Sequence, residues 1–174
     1  MSLFRISLLA VILDQVSKGL VVKYCQLNQS VTLIPGYLYL SYIQNPGAAF
    51  GFMAETQAFY RIPFFILITV GAGLIVYSYQ RFIPQERIVP RLALGLIWGG
   101  AMGNFIDRVF YRKVVDFIDV RFHQHQWFPW VFNLADSCIT VGLTLLIIGY
   151  LFEKQGGAQK NSGDKSPQKK SYIN

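Results

Sequence analysis

The sequence predicts a membrane all-α protein with a small β element: four transmembrane helices, both termini cytoplasmic, and a small extracytoplasmic β-cradle. Three observations predict it. Of the 174 residues, 53% are hydrophobic, and they are bunched into long runs rather than spread at amphipathic spacing. Residues 4–24, 60–79, 91–110 and 134–152 are runs of roughly 18 to 22 residues, the length that crosses a bilayer core. Residues 28–55 break this pattern with a strand-like composition.

The first run resembles a secretory leader only superficially. It is too long for the apolar part of a signal peptide, carries Asp14 and Lys18 in its middle, and is followed by no small-x-small cleavage site. It is expected to be retained as a span.

The formal net charge is +7, and its placement argues for topology rather than nucleic-acid binding. Arg5 precedes the first run, Arg81, Arg87 and Arg91 surround the connection between the second and third, and lysines crowd the C-terminal tail. Four spans put all of these on one side, which the positive-inside rule makes cytoplasmic. Lys23, Arg61, Arg112, Lys113 and Arg121 fall on the outer side, so the bias is moderate.

Between the first two runs, V-T-L-I-P-G-Y-L-Y-L-S-Y-I-Q-N-P-G-A-A-F-G-F draws on the strand-favouring Val, Tyr, Phe and Thr, with turns marked by Pro35-Gly36 and Pro46-Gly47. Its aromatic residues suit a membrane–water interface, so a small sheet resting on the bilayer is expected. In the third run Gly95, Gly99 and Gly103 recur on one face, which predicts close helix packing inside the bundle. Residues 1–154 thus form a single membrane-embedded domain. Residues 155–174, dominated by Gly, Lys, Gln and Ser, have almost nothing to bury and are expected to be a disordered cytoplasmic tail.

Asp116 in V-V-D-F and Asp136 in F-N-L-A-D-S carry the strongest chemical signal. Carboxylates near hydrocarbon are costly and persist where they face a protein interior or a wet cavity. Two that meet at one membrane surface can share a proton and activate water. Capping a helix start, together with Asn133, is the plainer account of Asp136. For Asp116 the plainer account is a surface loop, but Val114, Val115 and Phe117 make its surroundings too apolar.

Other polar residues are candidates for support. Asp14 and Lys18 stand four apart in the acid-before-base order, and a self-neutralising scaffold pair explains them best. Asn104, Asp107 and Arg108 project from one side of a helix end, too many polar groups for a lipid-facing surface. Asn45 heads N-P-G-A-A-F, which is an ordinary turn and equally a place where backbone amides can approach a ligand. His123 and His125 have no metal-ligand spacing around them, and Cys25 and Cys138 support no disulfide. No cofactor and no metal is expected.

Three function classes fit intramembrane Asp, Arg and Lys: an aspartic peptidase, a proton-coupled transporter, and a metal-dependent lipid-headgroup enzyme. The transporter lacks a relay toward the inner side, and the metalloenzyme lacks a denser acidic motif.

D-Q-V-S-K, N-P-G-A-A-F, G-N-F-I-D-R-V, V-V-D-F and F-N-L-A-D-S occur in this order, and with them the chain resembles bacterial lipoprotein signal peptidase, also called signal peptidase II or prolipoprotein signal peptidase. The resemblance covers about residues 5–152. It implies a multi-pass aspartic endopeptidase of the bacterial inner membrane with its active site toward the periplasmic side. Such an enzyme cleaves diacylglyceryl-modified prolipoproteins before the lipidated lipobox cysteine and is inhibited by globomycin. It further implies Asp116 and Asp136 as the catalytic pair, with Asp14, Lys18, Asn45, Asn104, Asp107, Arg108 and Asn133 in support. Its partners are then prolipoprotein and membrane lipid, not nucleic acid, and a monomer is expected. The stretch from Asp116 to Asp136, with H-Q-H-Q-W-F-P-W, is slightly long for the pattern.

Overall fold

The computed structural model describes residues 2–48, 52–122 and 125–163. In chain order the elements are α1 (Leu3–Tyr24), β1 (Ser30–Ile34), β2 (Leu38–Asn45), α2 (Ala58–Gln80), α3 (Ile88–Tyr111), β3 (Val114–Phe122), β4 (His125–Phe132) and α4 (Leu134–Gly163). Each expected span lies within one helix.

The helices expose long apolar side chains and bury polar ones among their packed apolar residues. Leu8, Leu9, Ile12, Val16 and Leu20 of α1 are exposed, as are Leu67, Leu74 and Ile75 of α2 and Ile147 and Leu151 of α4. Ser7, Asp14, Lys18, Asn104 and Asp107 are buried. Water would drive the opposite arrangement, and hydrocarbon rewards this one. The helix α2 and residues Leu134–Phe152 of α4 are long and apolar enough to cross a membrane by themselves, whereas α1 and α3 carry the inward-facing charges.

The central helix is α3, which packs on α4, α1 and α2. Its glycine face meets α1 as expected. A Cβ on Gly99 would lie 2.6 Å from the Ala10 Cβ, and one on Gly103 would lie 2.5 Å from Asp14 Oδ2. Absent side chains are what let α1 come this close.

The sheet differs from the expectation. It has four antiparallel strands in the order β1-β2-β3-β4, so half of it comes from residues 114–132 rather than from 28–55 alone. Strand β3 is an interior strand whose pairing with β2 joins segments far apart in sequence, which no local pattern reveals. The slightly long stretch after Asp116 is the β3–β4 hairpin. Strands β1 and β2 turn at Ile34–Tyr37, where Tyr37 N–H donates to the Ile34 carbonyl and Gly36 takes φ +79°, as a Pro-Gly turn demands.

Val21 of α1 packs with Tyr42, Val115 and Phe117, which fixes the sheet over one end of the bundle. Helix α4 continues to Gly163, into the stretch expected to be disordered. Elongation adds one hydrogen bond per residue, and Glu, Lys, Gln and Ala propagate a helix already started. The rest of that tail, and His123, lie outside the described residues.

Candidate active site

Polar side chains from α1, α3, α4, β2 and β3 converge where the sheet covers the bundle. The helical repeat of α1 puts Asp14 and Lys18 on the face that meets α3. Lys18 Nζ lies 2.8 Å from Asp14 Oδ2 and 3.0 Å from Asp107 Oδ2, and it donates to Asn104 Oδ1 at 3.0 Å. All its N–H groups are thereby spent. Asp14 Oδ1 accepts the Ala135 N–H at the start of α4, and Asp107 Oδ2 accepts the Val115 N–H of β3. One buried cation therefore ties α1, α3, α4 and the sheet together.

Asn133 joins this scaffold to the two candidate aspartates. It precedes α4, and its Oδ1 accepts the Asp136 N–H at 3.0 Å while Asp136 Oδ2 accepts the Asn133 N–H at 3.2 Å. This is a reciprocal cap of the helix start. The Asn133 Nδ2 group then donates to Asp116 Oδ1 at 2.7 Å and to Asn104 Oδ1 at 3.1 Å. Asn104 Nδ2 donates to Asp136 Oδ1 at 2.7 Å. The contacts that cap the helix thus also bring the Asp136 carboxyl beside Asn104.

Asp116 also accepts from Asn45 Nδ2 at 2.9 Å, and Asn45 Oδ1 in turn accepts the Gly47 N–H. The Gly47 carbonyl receives Arg108 Nη2 at 3.0 Å. The N-P-G turn is therefore clamped between β2 and α3. The Arg108 guanidinium lies over the Phe65 ring at 4.2 Å, and its buried Nε has no partner among the described residues.

Burial pushes the Asp116 carboxyl up to about 6, and the nearby Asp136 charge pushes the same way. The Asn45 and Asn133 hydrogen bonds and the Lys18 charge oppose them.

Asp14, Lys18, Asn45, Asn104, Asp107, Arg108, Asp116, Asn133 and Asp136 therefore lie in one connected polar network. By sequence Asp119, which leads toward Arg121 and the polar 123–126 stretch, is the aspartate expected to meet solvent or an arginine, and the structure gives it the arginine but not the solvent. It is only 1% exposed against 3% for Asp116, so it is not the more solvated of the two. It points to the other face of β3, where it accepts from Ser41 and pairs with Arg121. The side chains of His125, Trp127 and Trp130 lie outside the described residues.

Sequence reasoning missed Gln15 and Arg61. Gln15 Nε2 reaches Asp14 Oδ2, the Gly103 carbonyl and Asp107 Oδ1, and it sits inside the D-Q-V-S-K motif between two residues that were selected. Arg61 is buried and holds the Ala54 and Thr56 carbonyls. Its signal was a cation opening an otherwise apolar span.

The Signal peptidase (SPase) II family model matches residues 6–152. The chain belongs to the signal peptidase II family. It is 42% identical over 147 residues to the lipoprotein signal peptidase of Syntrophotalea carbinolica, covering 84% of this chain and 88% of the relative. It is 45% identical over 140 residues to that of Geobacillus thermodenitrificans, covering 80% and 83%. A bacterial membrane enzyme solved by the in meso method at 2.3 Å superposes with a TM-score of 0.72 at 30% identity, over 99% of this chain and 94% of that one. Signal peptidase II enzymes are membrane peptidases that remove signal peptides from prolipoproteins. The polar network lies wholly within the matched residues.

Proposed function

We propose that this signal peptidase II is an aspartic endopeptidase that cleaves diacylglyceryl-modified prolipoproteins before the lipidated cysteine, with Asp116 and Asp136 as its catalytic pair. The observation that carries it is the bridge of Asn133 and Asn104, which links a buried carboxyl from the sheet to a half-buried one from a helix start. Asp116, with its raised affinity for a proton, is the acid: it polarises the scissile carbonyl and then protonates the leaving amine. Asp136 is the base that takes a proton from the attacking water. Its two oxygens accept N–H groups from Asn104 and Asn133.

Arg108 and the Asn45–Gly47 turn hold the peptide in line, and the Arg108 guanidinium is braced by the Phe65 ring. On this reading four helices cross the bacterial inner membrane, both termini are cytoplasmic, and the sheet and site face the periplasm. The diacylglyceryl chains remain in lipid between helices, and globomycin occupies the peptide's place.

A transporter is the poorer reading. The buried hydroxyls away from the site, Ser7 and Thr69, return hydrogen bonds to backbone carbonyls and form no relay among the described residues. The test is cleavage of a lipidated prolipoprotein in excess chelator by Asp116→Asn and Asp136→Asn. Each is expected to lose activity by about 10³-fold while staying folded in the membrane. Retention of more than a few per cent by either variant overturns the dyad.

A further inference from the structure

On the side of β3 away from Asp116 lies a cavity of about 220 Å³, between α1, the end of α3 and the β2–β3 face. Gln44 and Val115 of that face line it and point away from Asp116, since residues next to each other along a strand face opposite sides, while Gln15, Lys18 and Asp107 in its wall belong to the edge of the polar network. Its mouth is formed by the exposed Gly19, Val22, Tyr111 and Lys113, beside the exposed apolar Val16 and Leu20 of α1.

The cavity is polarised. Lys18 lies in its wall, but its donors are taken by Asp14, Asp107 and Asn104. What remains in the lining is acceptor capacity: the spare lone pairs of the buried Asp107 carboxylate and the half-buried Gln15 Oε1 and Gln44 Oε1, the last two without partners among the described residues. At the rim the Lys113 ammonium has no partner among the described residues. A ligand that matches must lead with a hydrogen-bonding cation and trail an anion.

We propose that this cavity binds the headgroup of a phosphatidylethanolamine from the surrounding bilayer. The primary ammonium enters among Asp107, Gln15 and Gln44, the phosphate meets Lys113, and the acyl chains lie along the Val16–Leu20 face of α1. Phosphocholine lacks N–H donors for the acceptors, and phosphoglycerol lacks the cation. The proposal rests on α1 facing lipid and is independent of the aspartate mechanism.

The test is native mass spectrometry of the protein released from bilayers holding equal phosphatidylethanolamine, phosphatidylcholine and phosphatidylglycerol. The wild type is expected to retain the ethanolamine lipid about fivefold over the others, a difference of about 1 kcal/mol. Gly19→Leu, whose added side chain starts in open space and fills the mouth, and Lys113→Glu, a surface change that spares the fold, should both abolish the preference. Prolipoprotein cleavage in detergent should stay within about twofold in both variants, which separates this site from the catalytic one. Equal retention of the three lipids by the wild type overturns the proposal, as does an undiminished preference in folded Lys113→Glu protein. So does retention of added O-phosphoethanolamine in place of the lipid.

Discussion

Asn133 donates to Asp116 across 2.7 Å, and the same side chain accepts the backbone N–H of Asp136. One amide, held at the start of α4, therefore sets where the carboxyl of β3 stands relative to the carboxyl of the helix. Its two ends are distinguished by this pairing: the oxygen caps, the nitrogen reaches into the site.

Replacing Asn133 should separate these duties. Asn133→Ala loses the cap, worth about 1 kcal/mol, as well as the Asp116 contact. Asn133→Ser restores an oxygen for the Asp136 N–H but cannot reach Asp116. We expect thermal stability to recover in the serine variant while cleavage stays about 10²-fold down. Parallel recovery of both would show that capping alone matters.

The pH profile follows from Asp116. With its carboxyl near 6 and the protonated form required, kcat/KM should decline as the pH rises above about 6. The sign is fixed by the acid role: raising the pH removes the proton that the leaving amine needs. Bound substrate excludes water further, so the decline in kcat should move to higher pH than that in kcat/KM. Rate measurements on a lipidated peptide at fixed ionic strength check this, and a kcat/KM that rises through pH 6 would give the acid role to Asp136.

Lys18→Met should damage the fold before the chemistry. It removes the cation from Asp14 and Asp107 and leaves two uncompensated buried carboxylates, a loss of about 3–5 kcal/mol by analogy with broken buried ion pairs. Thermal unfolding in detergent reads this directly. Unchanged stability with lost cleavage would instead place Lys18 in the chemistry.

Asp119 and Asp116, three apart on one strand, should behave oppositely. Asp119→Asn weakens the contacts with Arg121 and Ser41, of about 1.5–3 kcal/mol for hydrogen bonds to a charged group, and the exposure of Arg121 puts it at the low end. We expect a lower unfolding temperature with more than half of the cleavage rate retained. An inactive Asp119→Asn beside an active Asp116→Asn would reverse the assignment.

By itself the sequence determined the apolar spans, the glycine face of α3, the inward polar residues and the motifs of the family. These are local patterns, readable because side chains repeat every 3.6 residues on a helix and every two on a strand. Tertiary structure decided the rest. The joining of 114–132 to 30–45 in one sheet is a pairing across intervening spans that leaves no periodic trace. The burial of Asp119 depends on Ser41 of β2 arriving beside it, whereas its partner Arg121, two residues on in the same strand, was legible in the sequence. Only packing of α1, α3 and the sheet turned Lys18 into a saturated cation, because a side chain's free valences are set by what reaches it in space.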